Sequence, residues 1–185
     1  MVKKINIVDY NPDWQNQFLE EKEKLLSIFG NLVLSIHHIG STAIKTTKAK
    51  PEIDILVVVK DDSGLSEYDQ EMIHLGYRVR GECLDAGGTP GRFYYSKDID
   101  NIRTHKVHIC KLGHKDVMEK LLFVKYLNDH PDQGRLYAQL KSNLSKEYDY
   151  RSIADYLKEK GIFIKEIIKK AKQEYFRLNY RDFLS

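Results

Sequence analysis

The sequence predicts an α/β (α+β) fold in one domain spanning residues 1–185, with a strand-bearing core over approximately 1–112 and a helical C-terminal part over 113–185. Three observations carry this reading. The near-continuous apolar run from Ile53 to Val59 has the pattern of a strand buried on both faces. A β-branched and leucine-rich run from Leu32 to Ile39 precedes it and is expected to be its neighbour. From Asp116 onward the apolar residues recur at helical spacing only.

Taken in order, residues 4–8 alternate enough for a short strand. Asn11-Pro12 reads as a helix cap with proline at the first helical position. Trp14, Phe18, Leu25 and Phe29 then recur at helical spacing as far as Gly30, which stops the helix. Glu20 and Lys24, four apart, are expected to pair on its polar side. Asp61 to Gly64 is a turn cluster, residues 65–75 a helix ended by Gly76, and Tyr77 to Arg80 a strand. Residues 85–92 form a loop on turn chemistry. Phe93 to Ser96 and Arg103 to Lys111 form two further strands around the polar Asp98–Asn101 turn. One helix runs from Asp116 to just before Pro131, with Val117, Leu121 and Val124 on one face. A second spans about 131–147 with Leu136, Leu140 and Leu144, and a third runs from near Ser152 towards Phe176, with Gly161 as its weak point.

Composition narrows the function classes. A hydrophobic share of 42% with twelve Tyr and seven Phe suffices for a core, and no like-charge block suggests disorder. Thirty basic against twenty-seven acidic residues argues against a nucleic-acid-coating protein but leaves room for a local basic site that takes a phosphorylated small molecule. Cys83 and Cys110 form no CxxC, and Cys110 sits in an apolar stretch that predicts burial. No apolar signal core or membrane-length run is present in the sequence, so a reducing cytoplasmic location without a membrane partner is expected.

The informative stretch is Ile39-Gly40-Ser41, ten intervening residues, then Glu52-Ile53-Asp54-Ile55. Side chains two apart on a strand point the same way, so Glu52 and Asp54 would share a face and could hold Mg²⁺ or Mn²⁺. A Gly-Ser turn lets the backbone approach a phosphate closely, and Lys45, Lys48 and Lys50 could neutralise it. The competing reading makes Gly40-Ser41-Thr42 an ordinary turn, Glu52 a solvated strand start and Asp54 a buried, hydrogen-bonded acid. Asp54 resists that reading, because an acid beside Ile-Leu-Val-Val-Val is costly unless paired or bound to a cation. Adjacent strand residues face opposite ways, so one of His37 and His38 reaches the turn. His38 is expected to orient it. His74, His114 and His130 read as surface or capping residues, and the Lys-rich last helix as a solvated face.

An apolar residue with Gly-Ser, a gap of about ten, then acid-apolar-acid-apolar resembles the signature of the nucleotidyltransferase superfamily (DNA polymerase β-like). More closely, the chain resembles the GrpB family, which also occurs fused to dephospho-coenzyme A kinase. The resemblance rests on Val8-Asp9-Tyr10 with Pro12 and Trp14, on His38 to Ala43, on Ala49-Lys50-Pro51 with Ile53-Asp54-Ile55, and on Pro90-Gly91-Arg92. It continues through Arg103-Thr104-His105 with His108, Tyr126-Leu127 with His130-Pro131, Tyr137-Ala138 with Leu140-Lys141, and Tyr156, Lys160 and Phe163-Ile164.

The resemblance implies a mixed nucleotidyltransferase-like sheet flanked by helices, with Gly40-Ser41 opposite Asp54. It also implies that Arg92, Arg103, His108, Tyr156 and Lys160 converge on the same cleft. Phosphates would then meet Gly40, Ser41, Thr42, Lys50, Arg92, Arg103, Tyr156 and Lys160. The metal would sit on Glu52 and Asp54, and Glu52, Asp54 and His108 would form the catalytic set. This chain departs from the family pattern at Lys45-Thr46, where Pro-Gly is usual, and at Glu52, where an apolar residue is common. The superfamily's third carboxylate is expected on the 103–111 strand, which carries no acid; His108 is the substitute, and histidine suits Zn²⁺ or Mn²⁺ better than Mg²⁺. Two functions follow: metal-dependent nucleotidyl transfer from a nucleoside triphosphate, or a non-catalytic module binding a nucleotide or a coenzyme A-like ligand.

Overall fold

A computed structural model describes residues 5–84, 88–148 and 152–184. Its elements are α1 (Asp13–Phe29), β1 (Val33–Ile39), β2 (Ile53–Val59), α2 (Asp69–His74), β3 (Tyr77–Gly81), β4 (Arg92–Ile99), β5 (Ile102–Lys111), α3 (Lys115–Asp129), α4 (Pro131–Glu147) and α5 (Ile153–Glu174). The five strands form one mixed sheet in the order β1-β2-β5-β4-β3. β1 and β2 are antiparallel neighbours, β2 and β5 run parallel, and β5-β4-β3 continue antiparallel.

Strand alternation divides the core into two layers. Ile53, Ile55, Val57 and Val59 of β2, with Val107 and Ile109 of β5, pack against Trp14, Phe18, Leu25 and Phe29 of α1. Leu56, Val58 and Cys110 face the other way, onto Val117 and Leu121 of α3. Beyond α3 the last three helices share a further core built from Leu122, Phe123, Leu127, Tyr137 and Ile167, into which Ile44 projects from the loop after β1. The sheet is thus covered on both faces, which explains the unbroken apolar run of β2. Among the described residues, no helix is long and apolar enough to cross a membrane.

Several local expectations need correction. The strand over 4–8 is a single bridge, Val8 to Ala49, with residue 4 outside the described residues. Asn11 caps α1 through Oδ1, which accepts from the Asp13 amide at 3.0 Å, so Pro12 lies just before the first helical residue. Lys24 pairs with Glu21 at 3.0 Å rather than with Glu20, because Glu21 is buried and needs the cation. The 65–75 helix begins as a 3₁₀ turn over Leu65–Tyr68 and is α-helical only in α2. The 93–96 strand extends at both ends, and Asp100 and Asn101 close it with positive φ at both positions, as a two-residue type I′ hairpin needs. Residues 85–87 of the expected loop lie outside the described residues, and its last residue, Arg92, opens β4. Gly161 does not interrupt α5.

Candidate functional site

The site lies where β1 ends. Ile39 stands in register with Asp54, so the turn that follows β1 closes directly over the Asp54 side chain. Gly40 adopts φ 71° and ψ −166°, a region open essentially to glycine alone. A Cβ there would meet Asp54 Oδ2 at 2.4 Å. Glycine is therefore required twice over, by the backbone and by the carboxylate. Ser41–Ala43 then forms a short 3₁₀ turn.

Thr42 and His38 anchor that turn from below. The Thr42 hydroxyl donates to the Glu52 carbonyl at 3.1 Å, so His38 Nε2, 2.9 Å away, is the donor to Thr42. Burial pushes the His38 pKa down to about 4, which keeps the ring neutral and the tautomer defined. Tyr137, buried in α4, lies beside Ser41 and lines the same space. Thr42 itself is 1% exposed and does not line the two cavities beside the turn.

Two adjoining lobes flank this turn. The wider, about 340 Å³, sets Arg92, His108, Lys120 and Lys160 against an apolar wall of Ile39, Phe123, Ile164 and Ile168. The narrower, about 190 Å³, gathers Lys50, Glu52, Lys106, Lys141, Tyr156 and Lys160. Ser41, Asp54 and Lys160 border both. Gly40, Ser41, Lys50, Glu52, Asp54, Arg92, His108, Tyr156 and Lys160 thus line the cleft. Arg103 does not: its Nε bonds Asp98 at 2.6 Å and one terminal nitrogen donates to the Tyr94 hydroxyl at 3.0 Å. It stands beside the cleft, next to Tyr94, whose ring stacks on His108, and within the field of Glu52.

The charges are arranged unevenly. Glu52, 6% exposed, gives Oε1 to Lys50 and Oε2 to Lys106, the latter at 2.6 Å. Burial pushes its pKa up, but the charge and hydrogen bonds of Lys106 and Lys50 outweigh it and hold the carboxyl low. Lys106 stands in register with Asp54 on β5. Its burial favours the neutral amine, yet Asp54 and Glu52 prevail and raise its pKa. His108 Nε2 is 3.9 Å from Asp54 Oδ1. Burial, with Lys120, Arg92 and Lys106 nearby, drives its pKa well below the ordinary histidine value, so the ring stays neutral. Burial also lowers Lys120 and Lys160. Arg92 pairs with Asp116 at 2.7 Å, while Arg92 Nε and His108 Nδ1 are buried without partners. Such groups are normally satisfied, by ligand or by water.

A divalent cation on Glu52 and Asp54 fits this donor set poorly. Both Glu52 oxygens already accept from ammonium groups, and β5 presents Lys106 and His108 beside Asp54 rather than an acid. Among the described residues, no group of three or more His, Cys, Asp or Glu side chains could hold a metal ion. Sequence reasoning missed Lys106, Lys120, Asp116 and Lys141 as cleft residues. For Lys106 the signal was present, since it lies two residues before His108 on one strand and so shares its face. His105 faces the α1 side, where its charged neighbours are Glu21, Lys97 and Lys24.

A mixed sheet whose first strand pair carries a Gly-Ser turn over a strand aspartate defines the nucleotidyltransferase-like fold. That fold is shared with the Cid1 poly(U) polymerase solved with magnesium and 3′-dATP, at a TM-score of 0.53 and 12% identity over 76% of this chain and 43% of that one. The family model for GrpB protein matches residues 4–170, and the chain belongs to the GrpB family. The crystal structure of the conserved protein GrpB from Enterococcus faecalis superposes with a TM-score of 0.85 at 34% identity, covering 92% of this chain and 99% of that one. The UPF0157 protein YqkA of Bacillus subtilis (strain 168) is 39% identical over 171 residues, 92% of this chain, which spans only 48% of that relative's length.

Proposed function

We propose that the cleft binds a phosphorylated small molecule of the nucleotide class. The observation that carries this reading is the meeting of the Gly40-Ser41 turn with Lys50, Arg92, Lys106, Lys120 and Lys160 around one aspartate, beside an apolar wall. In this reading the Ser41 hydroxyl and the turn amides donate to phosphate oxygens, with Lys50 and Lys160 supplying charge. Tyr156, four residues before Lys160 on α5, lies under its ammonium at 5.7 Å and steadies it. Ile39, Phe123, Ile164 and Ile168 cover the base or another apolar portion. Arg92 Nε and the neutral His108 ring would find their missing partners on the ligand. A coenzyme A-like ligand, with phosphates and an apolar arm, shares the same chemistry.

Calorimetric titration with ATP, UTP and dephospho-coenzyme A tests the reading and separates the two ligand sources. Lys160→Met is expected to weaken binding by at least roughly tenfold, the loss of one charge-assisted contact. No heat with any of these ligands would sink it.

Nucleotidyl transfer dependent on Mg²⁺ or Mn²⁺ is the second reading. It is supported by the fold shared with a polymerase solved with a magnesium nucleotide and by Asp54 opposite the turn. The engagement of Glu52 by Lys50 and Lys106 favours binding over turnover. Release of pyrophosphate from ATP in the presence of either metal, abolished by Asp54→Asn, would instead establish the enzyme.

A further inference from the structure

We propose that Lys106 is a resident cation occupying the position between Glu52 and Asp54 that a divalent ion would take, so that the cleft receives its phosphorylated ligand as a free anion and not as a metal complex. The inference rests on the phosphate reading of the cleft.

Glu52 and Asp54 present two carboxylates to one lobe, and two such groups stay ionised together only beside positive charge. That charge comes from the chain itself. Parallel pairing of β2 with β5 sets Lys106 level with Asp54, and its Nζ lies 2.6 Å from Glu52 Oε2. Lys50 takes the other Glu52 oxygen. A metal ion could reach Glu52 only by expelling an ammonium group from a carboxylate that is 6% exposed. Breaking a buried pair leaves an uncompensated charge, and a strongly hydrated ion such as Mg²⁺ gives up water reluctantly.

The charge balance of the narrow lobe points the same way. Lys50, Lys106 and Lys160 outnumber Glu52 and Asp54 there, with the amine of Lys141 beside them. Adding a divalent cation would deepen that excess, whereas a polyphosphate anion would relieve it. A metal-bound polyphosphate has already lost two of its negative charges and offers these lysines less. The cleft is therefore complementary to the metal-free form.

Two measurements decide this without a variant. Mn²⁺ alone, followed by the electron paramagnetic resonance signal of the free ion, should show no binding to the wild-type chain at millimolar metal. Inorganic tripolyphosphate should bind in chelator and lose at least roughly tenfold in apparent affinity when Mg²⁺ exceeds the ligand. Lys106→Met, with Lys106→Gln as the second variant, should lose tripolyphosphate affinity and gain Mn²⁺ binding. Adding Asp54→Asn should remove that gained binding. Mn²⁺ binding by the wild type that depends on Asp54, or Mg²⁺ strengthening tripolyphosphate binding, would overturn the proposal. Because the Mn²⁺ arms contain no phosphate, Mn²⁺ binding seen only in the Lys106 variants would sustain the resident cation even if no phosphorylated ligand bound and the reading of the cleft failed.

Discussion

Replacing Gly40 by alanine tests the link between backbone geometry and the site. Gly40 sits at φ 71° and ψ −166°, and holding a non-glycine residue there costs about 1–3 kcal/mol. The added Cβ would also meet Asp54 Oδ2 at 2.4 Å and Asp54 Cβ at 2.9 Å, an overpacking worth about 1–3 kcal/mol. Together these predict a destabilisation of roughly 2–6 kcal/mol. For a chain of this length, at about 2–4 °C per kcal/mol, that lowers Tm by at least about 4 °C, and by about 12 °C at the middle of the range, in thermal unfolding followed by circular dichroism. In an Asp54→Ala background Oδ2 is gone while Cβ stays, so Gly40→Ala should cost about 1–2 kcal/mol less, the coupling expected of residues in contact. An equal cost in both backgrounds would show that the Asp54 carboxylate does not press on the turn. A Tm within two degrees or so of wild type would refute the backbone argument as well.

Two further outcomes concern the frame around the cleft. Glu21, 2% exposed, accepts from Tyr77 at 2.9 Å and Lys97 at 2.9 Å, so Glu21→Ala should cost about 2–4 kcal/mol in urea unfolding by leaving the buried Tyr77 hydroxyl and the part-buried Lys97 ammonium without their acceptor. Burial raises the Glu21 pKa, but Lys97, Lys24 and Tyr77 lower it further, so its stabilisation is full above the ordinary glutamate range and is lost as pH falls below it. His38 has its pKa lowered from 6.5 to about 4 by burial. The unfolded chain therefore takes up a proton first, and stability falls from pH 6.5 towards pH 4, on the order of 2–3 kcal/mol from this residue. His38→Gln should remove that share, and an unchanged acid slope would show that the ring is not buried neutral.

The parts of this fold legible in the sequence are those with a strong local period. β2 was readable because a strand covered on both faces must be apolar throughout. α1, α3, α4 and α5 were readable because each buries one face at helical spacing, although in α4 that face is Tyr137, Lys141 and Leu144, and Leu136 of the expected stripe is 50% exposed. The short α2 was over-read, since a 3₁₀ turn followed by six α-helical residues carries too few turns for a firm period. In the site, Gly40-Ser41 and Asp54 stood out because their spacing spans the loop joining two antiparallel neighbours. Lys106 could be placed on the face of His108 from the strand period, but its position level with Asp54 depends on the register of two strands far apart in sequence. Arg103, expected in the cleft from the resemblance, stands beside it instead, held by Asp98 and the Tyr94 hydroxyl. The register shift at Thr104 turns it onto the face of Tyr94 and His108, which the order of residues alone does not reveal.

Lys141 offers the sharpest test of how the cleft handles its own positive charge. It lies in α4, 2% exposed, with its ammonium 4.2 Å from the centre of the Tyr137 ring and donating to the Lys48 carbonyl. The ring face and the carbonyl favour the charged form. Burial opposes them, Lys160 adds repulsion, and Asp54 compensates only in part, so the pKa falls from 10.5 to about 6. The unfolded chain then holds this proton across the interval in which the folded chain has lost it. Stability must rise with pH in that interval, by roughly 1.4 kcal/mol per pH unit for one proton. Whatever Lys120 and Lys160, also lowered by burial, contribute to the slope is common to the wild type and Lys141→Met. The difference between the two slopes in urea unfolding, from about pH 7 to 9, therefore isolates Lys141. Methionine keeps the unbranched stem and removes the titrating group, so the variant should gain most relative to wild type near pH 7 and least near pH 9. Parallel slopes would mean that the Tyr137 ring and the Lys48 carbonyl hold Lys141 as an ammonium ion, adding a further fixed positive charge to the wall that meets the ligand.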